Sequence, residues 1–277
     1  MPAQVINGKE ISQKILSEVK EVIQRENLQI KLGIIQVGQD PATQIYVKNK
    51  LKRAKEVGIR THHHIFESKS ATKEGLLKII RELNEDKKVT GFFIQTPIPE
   101  KLGLVELVSE INPKKDVDGM NPCSLGALLH GRRDVLVSAT AVACYSILKY
   151  LNIELSGKHA VIAGRSLILG KPLAALLLNK DATVTICHTK TQNLKEVCKT
   201  ADILIAATGK EGLITKSFVK KGAVVIDCGS PKPEVNEEVR EVASYITPVP
   251  GGVGPVTIAS LLKNCLKAKE LQVPSAS

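Results

Sequence analysis

The chain has 277 residues, 43% hydrophobic and 24% charged, the balance of a soluble globular protein with core enough for one or two domains. No stretch approaches the uninterrupted apolar length of a membrane span, and the opening MPAQVINGKEIS lacks a basic-then-apolar signal pattern. A cytoplasmic protein with no membrane partner is therefore expected. The net charge of +11 suits either a lysine-rich solvated surface or an anionic small ligand; with 3% aromatic residues and no Trp, nucleic acid is not the expected partner.

In the first half, strands and helices alternate, as in an α/β layer structure. Residues 5–25 read as a helix, with Ile11, Ile15, Val19 and Val22 at three- and four-residue steps. Residues 31–37 form a strand, and Asp40 and Pro41 open a helix over 42–57 that Gly58 ends. A strand over 59–66 carries His62, His63 and His64, and a helix follows over 72–83. The apolar strand 89–95 breaks at Thr96-Pro97, a short helix covers 102–111, and 112–119 is a polar loop. The helix 141–151 leads into the second half.

From His159 to Thr191 the pattern is strand, glycine turn, helix, strand. Such a unit sets a helix N-terminus beside the carboxyl end of a parallel strand, a place for phosphate. Gly164 and Gly170 do not make the usual G-x-G-x-x-G, so an ordinary βαβ crossover is the alternative on this stretch alone. Arg165 and Ser166 follow the first strand, where a guanidinium and a hydroxyl reach phosphate oxygens. The second strand ends at Cys187-His188-Thr189-Lys190 with no acid for a ribose hydroxyl, which favours NADP over NAD. Pro172 is expected in the first helical turn. A helix at 194–200, strands at 202–207 and 223–228, the run 245–255 and a closing helix over 256–271 complete the chain.

Tyr46 and Lys50 lie four apart on one helix face, after a strand-to-helix loop. A lysine desolvated there can move protons; a solvated amphipathic face is the plainer reading. Asp116 and Asp118 sit in a turn loop, where capping is the commonest use of aspartate. Alternation puts His62 and His64 on one face of a strand without an acidic or cysteine partner nearby, so no metal is expected. The six cysteines are scattered singly with no C-x-x-C, and most are expected as buried free thiols.

Taken together these stretches resemble the methylenetetrahydrofolate dehydrogenase/cyclohydrolase family over nearly the whole chain. Residues 46–52, YVKNKLK, resemble its Y-x-x-x-K-x-K helix; Gln95-Thr96-Pro97-Ile98-Pro99 its Q-L-P-L-P; and 115–119 its K-D-V-D-G. Residues 164–172 are similar to G-R-S-x-x-x-G-x-P, and 245–255 to Y-I-T-P-V-P-G-G-V-G-P. The resemblance implies an α/β fold in two domains with a cleft between them. One is an N-terminal α/β substrate domain, 1–137, to which the C-terminal helix 256–277 returns. The other is a Rossmann-like, doubly wound NAD(P)-binding domain, 138–255, through which a homodimer forms.

It further implies oxidation of methylenetetrahydrofolate to the methenyl form with NADP (NAD being possible), then hydrolysis to formyltetrahydrofolate, in one-carbon metabolism and purine biosynthesis. Tetrahydrofolate derivatives are the implied ligands. Lys50 is the implied catalytic residue, tuned by Gln95, with Tyr46 against the folate. Asp118, Pro250 and Gly251 would bind substrate. Gly164, Arg165, Ser166, Thr189, Thr140 and Gly209 would hold the cofactor. The chain departs from the family pattern where Ser138-Ala139-Thr140-Ala141-Val142-Ala143 replaces P-C-T-P-x-G and Ser124-Leu125-Gly126-Ala127-Leu128 replaces N-x-G-R-L. Thr96 stands for the usual leucine, and the segment from Gly229 to Tyr245 is short and lacks the G-D-V stretch on the nicotinamide side. A cyclohydrolase-only relative and a non-catalytic nucleotide- or anion-binding protein are the alternatives.

Overall fold

The computed structural model of the chain describes residues 2–273. Apolar strands alternating with helices build two parallel sheets, and internal contacts divide the chain into two units. One holds Lys14–Ala139 and the residues from Ile258 onward; the other holds Thr140–Thr257 and the residues up to Gln13.

The chain opens with a two-residue strand, β1 (Gln4–Val5), and helix α1 (Gly8–Arg25). In the first unit, β2 (Lys31–Val37) is followed by α2 (Pro41–Glu56), whose N-cap Asp40 accepts the Thr43 N–H at 2.9 Å. Then come β3 (Arg60–Phe66), α3 (Lys73–Glu85) and β4 (Gly91–Gln95). The strands lie parallel in the order β3-β2-β4. Because helices cover parallel sheets on both faces, β2 and β4 are continuous apolar runs; Leu32, Ile34, Ile35, Phe92, Phe93 and Ile94 are buried. Strand β3 is an edge and exposes half its residues, which admits its histidines. Helices α4 (Leu104–Ser109) and α5 (Pro122–Leu129) follow.

The second unit begins with α6 (Ala139–Tyr150) and β5 (His159–Ala163). It continues with α7 (Gly170–Leu178), β6 (Thr183–Cys187), α8 (Leu194–Cys198), β7 (Ile203–Ala206), β8 (Val224–Asp227) and β9 (Tyr245–Ile246); α9 (Val253–Gln272) begins in this unit and from Ile258 onward belongs to the first. Its six parallel strands run β1-β9-β8-β7-β5-β6. From β5 the chain moves outward to β6 and then returns to β7 on the other side, so the strand order reverses at β5. The crevice outside the carboxyl ends of β5 and β7 is where such sheets take ligands.

Two expectations differ from what is observed. Residues 4–5 are strand, not helix, and the chain up to Gln13 groups with the second unit rather than the first. The cause is long-range: β1 pairs with β9, the Ala3 N–H donates to the Arg240 carbonyl at 2.7 Å, and the Ile6 N–H to Ile246 at 2.8 Å. Helix α5 stands in a stretch to which sequence reading assigns no element; Asn121 caps it and Pro122 opens it. Helix α7 starts at Gly170, so Pro172 falls in its first turn, as expected. Of the six cysteines, Cys144, Cys187, Cys198 and Cys265 are buried and Cys123 is exposed.

Candidate active site

Parallel strands deliver their following loops to one sheet edge, and in the first unit β2 and β4 deliver α2 and Gln95 there. Lys50 lies on α2, and its Nζ donates to Gln95 Oε1 at 2.9 Å. Gln95 is buried at the last position of β4, and its Nε2 donates to the Thr96 carbonyl at 2.6 Å. That second bond settles which amide atom faces the lysine: the nitrogen is committed to the backbone, so the oxygen is presented to Nζ. The Phe93 ring lies below, 4.4 Å from Nζ to its centroid.

Burial lowers the Lys50 pKa from the ordinary lysine value, and the Asp118 carboxylate opposes the shift. Asp118 is itself pushed up by burial and drawn back by Lys50. The pair is an amine inclined to be neutral, beside groups (a carboxylate and a ring face) that stabilise its cation once formed. Such a group can take a proton and return it. Tyr46, one turn earlier on the same face, is 39% exposed.

The loop 115–119 contributes less chemistry than its residue types suggest. Lys115 Nζ donates to the carbonyls of Leu83, Asn84 and Asp86 at 3.0, 2.8 and 2.9 Å, closing the C-terminus of α3. Asp116 accepts the N–H groups of Gly119 and Asn121 at 3.1 and 2.6 Å; burial and the neighbouring Asp118 push its pKa up to about 7. Asn121 in turn donates to Ile111 at 2.8 Å and caps α5. Lys115 and Asp116 are thus scaffold, and Asp118 is the member whose charge acts on Lys50. On β3, His62 and His64 stack with centroids 4.3 Å apart, while His63 Nε2 lies 2.9 Å from Gln36 Oε1. Among the described residues no three His, Cys, Asp or Glu side chains are grouped to hold a metal.

In the second unit, the candidate cofactor residues collect at the carboxyl end of the sheet. Gly164, Arg165 and Ser166 follow β5, Thr189 follows β6, Gly209 follows β7, and Pro250 and Gly251 follow β9; Thr140 is in the first turn of α6. Gly164 has φ +150°, and a Cβ there would sit 2.1 Å from the Ala207 carbonyl oxygen; one on Gly170 would sit 2.1 Å from the Gly164 oxygen. These glycines let the strand turn, the next loop and the start of α7 close up at the switch point. Arg165 and Ser166 are exposed there, and Ser166 Oγ accepts the Leu169 N–H at 3.2 Å while its hydroxyl can still donate. The Gly209 N–H is occupied: it donates to Glu234 Oε1 at 2.9 Å.

Phe93 and Glu234 are site neighbours that pattern reading did not single out. Phe93 looked like one more core residue of a buried strand. Glu234 lay in a stretch read only as polar.

Comparison with known proteins places both halves. Residues 6–118 match the tetrahydrofolate dehydrogenase/cyclohydrolase catalytic domain, and residues 138–273 the NAD(P)-binding domain of the same name. The bifunctional protein FolD of Acetivibrio thermocellus is 44% identical over 283 residues, spanning 98% of this chain and 99% of its own. The crystal structure of the bifunctional enzyme FolD from Campylobacter jejuni aligns with TM-score 0.92 at 38% identity, covering 97% of this chain and 99% of that one. The Trypanosoma brucei FolD, solved with NADP cofactor and inhibitor, aligns with TM-score 0.93 at 34% identity over 99% of this chain and 100% of its own.

Proposed function

The chain belongs to the tetrahydrofolate dehydrogenase/cyclohydrolase family, and from that premise we propose that Lys50 is the group on which its chemistry turns. The protein is a bifunctional enzyme of one-carbon metabolism. It oxidises methylenetetrahydrofolate to the methenyl form with NADP and hydrolyses that product to formyltetrahydrofolate. The observation that carries the assignment of Lys50 is its 2.9 Å bond to a buried, backbone-locked Gln95 in a desolvated position.

The residues at the switch point suit NADP. Gly164 and Gly170 leave the backbone open where side chains would intrude. Arg165, Ser166 and Thr189 offer donors for the phosphates, Thr140 in the first turn of α6 is a further donor for the cofactor, and no acid follows β6 to repel a ribose phosphate. Gly209 contributes its turn rather than its N–H, which Glu234 occupies. When bound, NADP supplies the hydride acceptor.

Loss of hydride leaves the substrate carbon cationic between two nitrogens. An ammonium beside it would raise its energy; the neutral Lys50 that burial favours does not. In hydrolysis, water adds to that carbon, forming the carbon–oxygen bond as Lys50 Nζ takes one water proton. The bond from carbon to one ring nitrogen then breaks, its electron pair and the proton held on Nζ going to that nitrogen. The remaining hydroxyl proton leaves to solvent as the formyl C=O forms. Gln95 orients Nζ throughout by accepting one of its hydrogens. Tyr46 stacks on the folate and Asp118 hydrogen-bonds its ring.

The enzyme works as a cytoplasmic homodimer joined through the cofactor unit, its formyl product serving purine biosynthesis. Supporting this, β6 is a sheet edge with Ile186 38% exposed, and the adjoining Leu178 is 55% exposed.

Two assays on the purified protein test the function. One follows reduction of NADP, then NAD, with methylenetetrahydrofolate; the other follows methenyltetrahydrofolate loss against an enzyme-free blank. Activity in both is expected. Hydrolysis alone would indicate a cyclohydrolase-only enzyme, and silence in both from folded protein would overturn the reading.

A further inference from the structure

The shortened segment after β8 is organised by two carboxylates in series. Asp227, the last residue of β8, accepts the Gly229 N–H at 2.8 Å, the Glu234 N–H at 3.0 Å and the Val235 N–H at 3.0 Å. The loop is thereby folded back on the strand end so tightly that a Cβ on Gly229 would lie 2.3 Å from the Lys232 carbonyl oxygen. Residues Val235 and Ile214 then pair as an isolated parallel bridge, which brings the chain alongside the segment that follows β7.

Glu234, delivered by this turn, is buried, and its carboxylate gathers the loop after β7. It accepts the Thr208 N–H at 2.5 Å, the Thr208 hydroxyl at 2.8 Å and the Gly209 N–H at 2.9 Å. Thr208 Oγ1 also accepts the Lys210 N–H at 3.1 Å, closing the turn on itself. That turn follows directly on Ala207, whose carbonyl oxygen packs against Gly164 at the switch point. The β7 wall of the crevice is therefore set by one side chain. The wall's two amide N–H groups, which could otherwise serve a phosphate, face a carboxylate instead.

We propose that Glu234 is a positioning residue for the dinucleotide: it holds the Thr208–Gly209 turn as the wall for the cofactor half remote from the ribose phosphate, and leaves the phosphates to the Arg165–Ser166 side. The inference rests on the assignment of NADP to this crevice. A fragment carrying only the ribose-phosphate half does not touch the β7 wall, so it is indifferent to Glu234, whereas the whole cofactor is not.

Titrations of the full-length protein with NADP and with adenosine 2′,5′-bisphosphate, for wild type and Glu234→Ala, test this. The expected result is a loss of tenfold or more in NADP affinity with the fragment's affinity changed less than twofold. Equal losses for both ligands would mean that Glu234 only supports the fold, and unchanged NADP affinity would mean that the turn does not matter; either result overturns the proposal. Should Glu234→Ala fail to fold, Thr208→Val keeps both backbone N–H bonds to Glu234 and removes the hydroxyl's bonds to Glu234 and from the Lys210 N–H, and the same split, smaller in size, is required of it. Failure of the wild type to bind NADP would count against the cofactor assignment itself, and is read separately from the variants.

Discussion

Lys50 is held between opposed influences, and its value to the reaction lies in their balance. Burial favours the neutral amine, while Asp118 and the face of Phe93 favour the cation. The base form does the work in hydrolysis, so the rate rises with pH as Lys50 loses its proton. Because burial displaces the pKa downward, the midpoint of that rise lies below the ordinary lysine value of 10.5. A pH–rate profile of methenyltetrahydrofolate hydrolysis, corrected for the enzyme-free reaction, checks this. In Gln95→Leu the Nζ loses its acceptor, and the rate is expected to fall by about tenfold to a thousandfold through lost orientation. A profile whose limb sits at the ordinary lysine position would remove burial from the explanation. The helix spacing of Tyr46 and Lys50 was legible in the sequence. The pairing of Lys50 with Gln95 came from the family resemblance and not from local pattern, since Gln95 is 45 residues away and meets Lys50 through strand order.

At the level of elements, the second unit depends on how closely strand ends and loops approach. Gly164→Ala places a Cβ 2.1 Å from the Ala207 oxygen at a φ that disfavours side chains. A cost of about 1–3 kcal/mol is expected from the backbone conformation, together with a loss of at least tenfold in NADP affinity as the β5 turn shifts. Urea denaturation and a cofactor titration measure the two effects; an unchanged affinity would show that the turn tolerates displacement. The βαβ unit was readable from β-branched strands and turn glycines. The K-D-V-D-G loop was readable as a loop, but its division of labour was not. Residue types cannot reveal that Lys115 caps α3 and Asp116 binds Gly119 and Asn121 while the charge of Asp118 acts on Lys50. Nor could a two-residue strand such as β1 be seen, because its register is set by β9, some 240 residues later. The apparent loss of a cofactor-side segment is likewise filled by contacts of Asp227 and Glu234 that no local pattern announces.

On the scale of the whole molecule, two reactions share one enzyme: the cofactor residues lie in one unit and Lys50, Gln95 and Asp118 in the other. If β6 forms the dimer edge, Ile186→Glu sets like charges against each other across the two copies. Sedimentation is then expected to change from dimer to monomer, and a variant that remains dimeric would exclude that edge. The division of labour makes a sharper demand, since removing the lysine should silence chemistry without touching cofactor affinity. The most direct measurement is therefore made on Lys50→Met beside wild type, following methenyltetrahydrofolate hydrolysis, NADP reduction and the NADP dissociation constant in one preparation. Hydrolysis is predicted to fall by about a hundredfold to ten-thousandfold, the span of a lost general base, with NADP reduction impaired as well and NADP affinity within twofold of wild type. Undiminished hydrolysis in the variant would contradict the account.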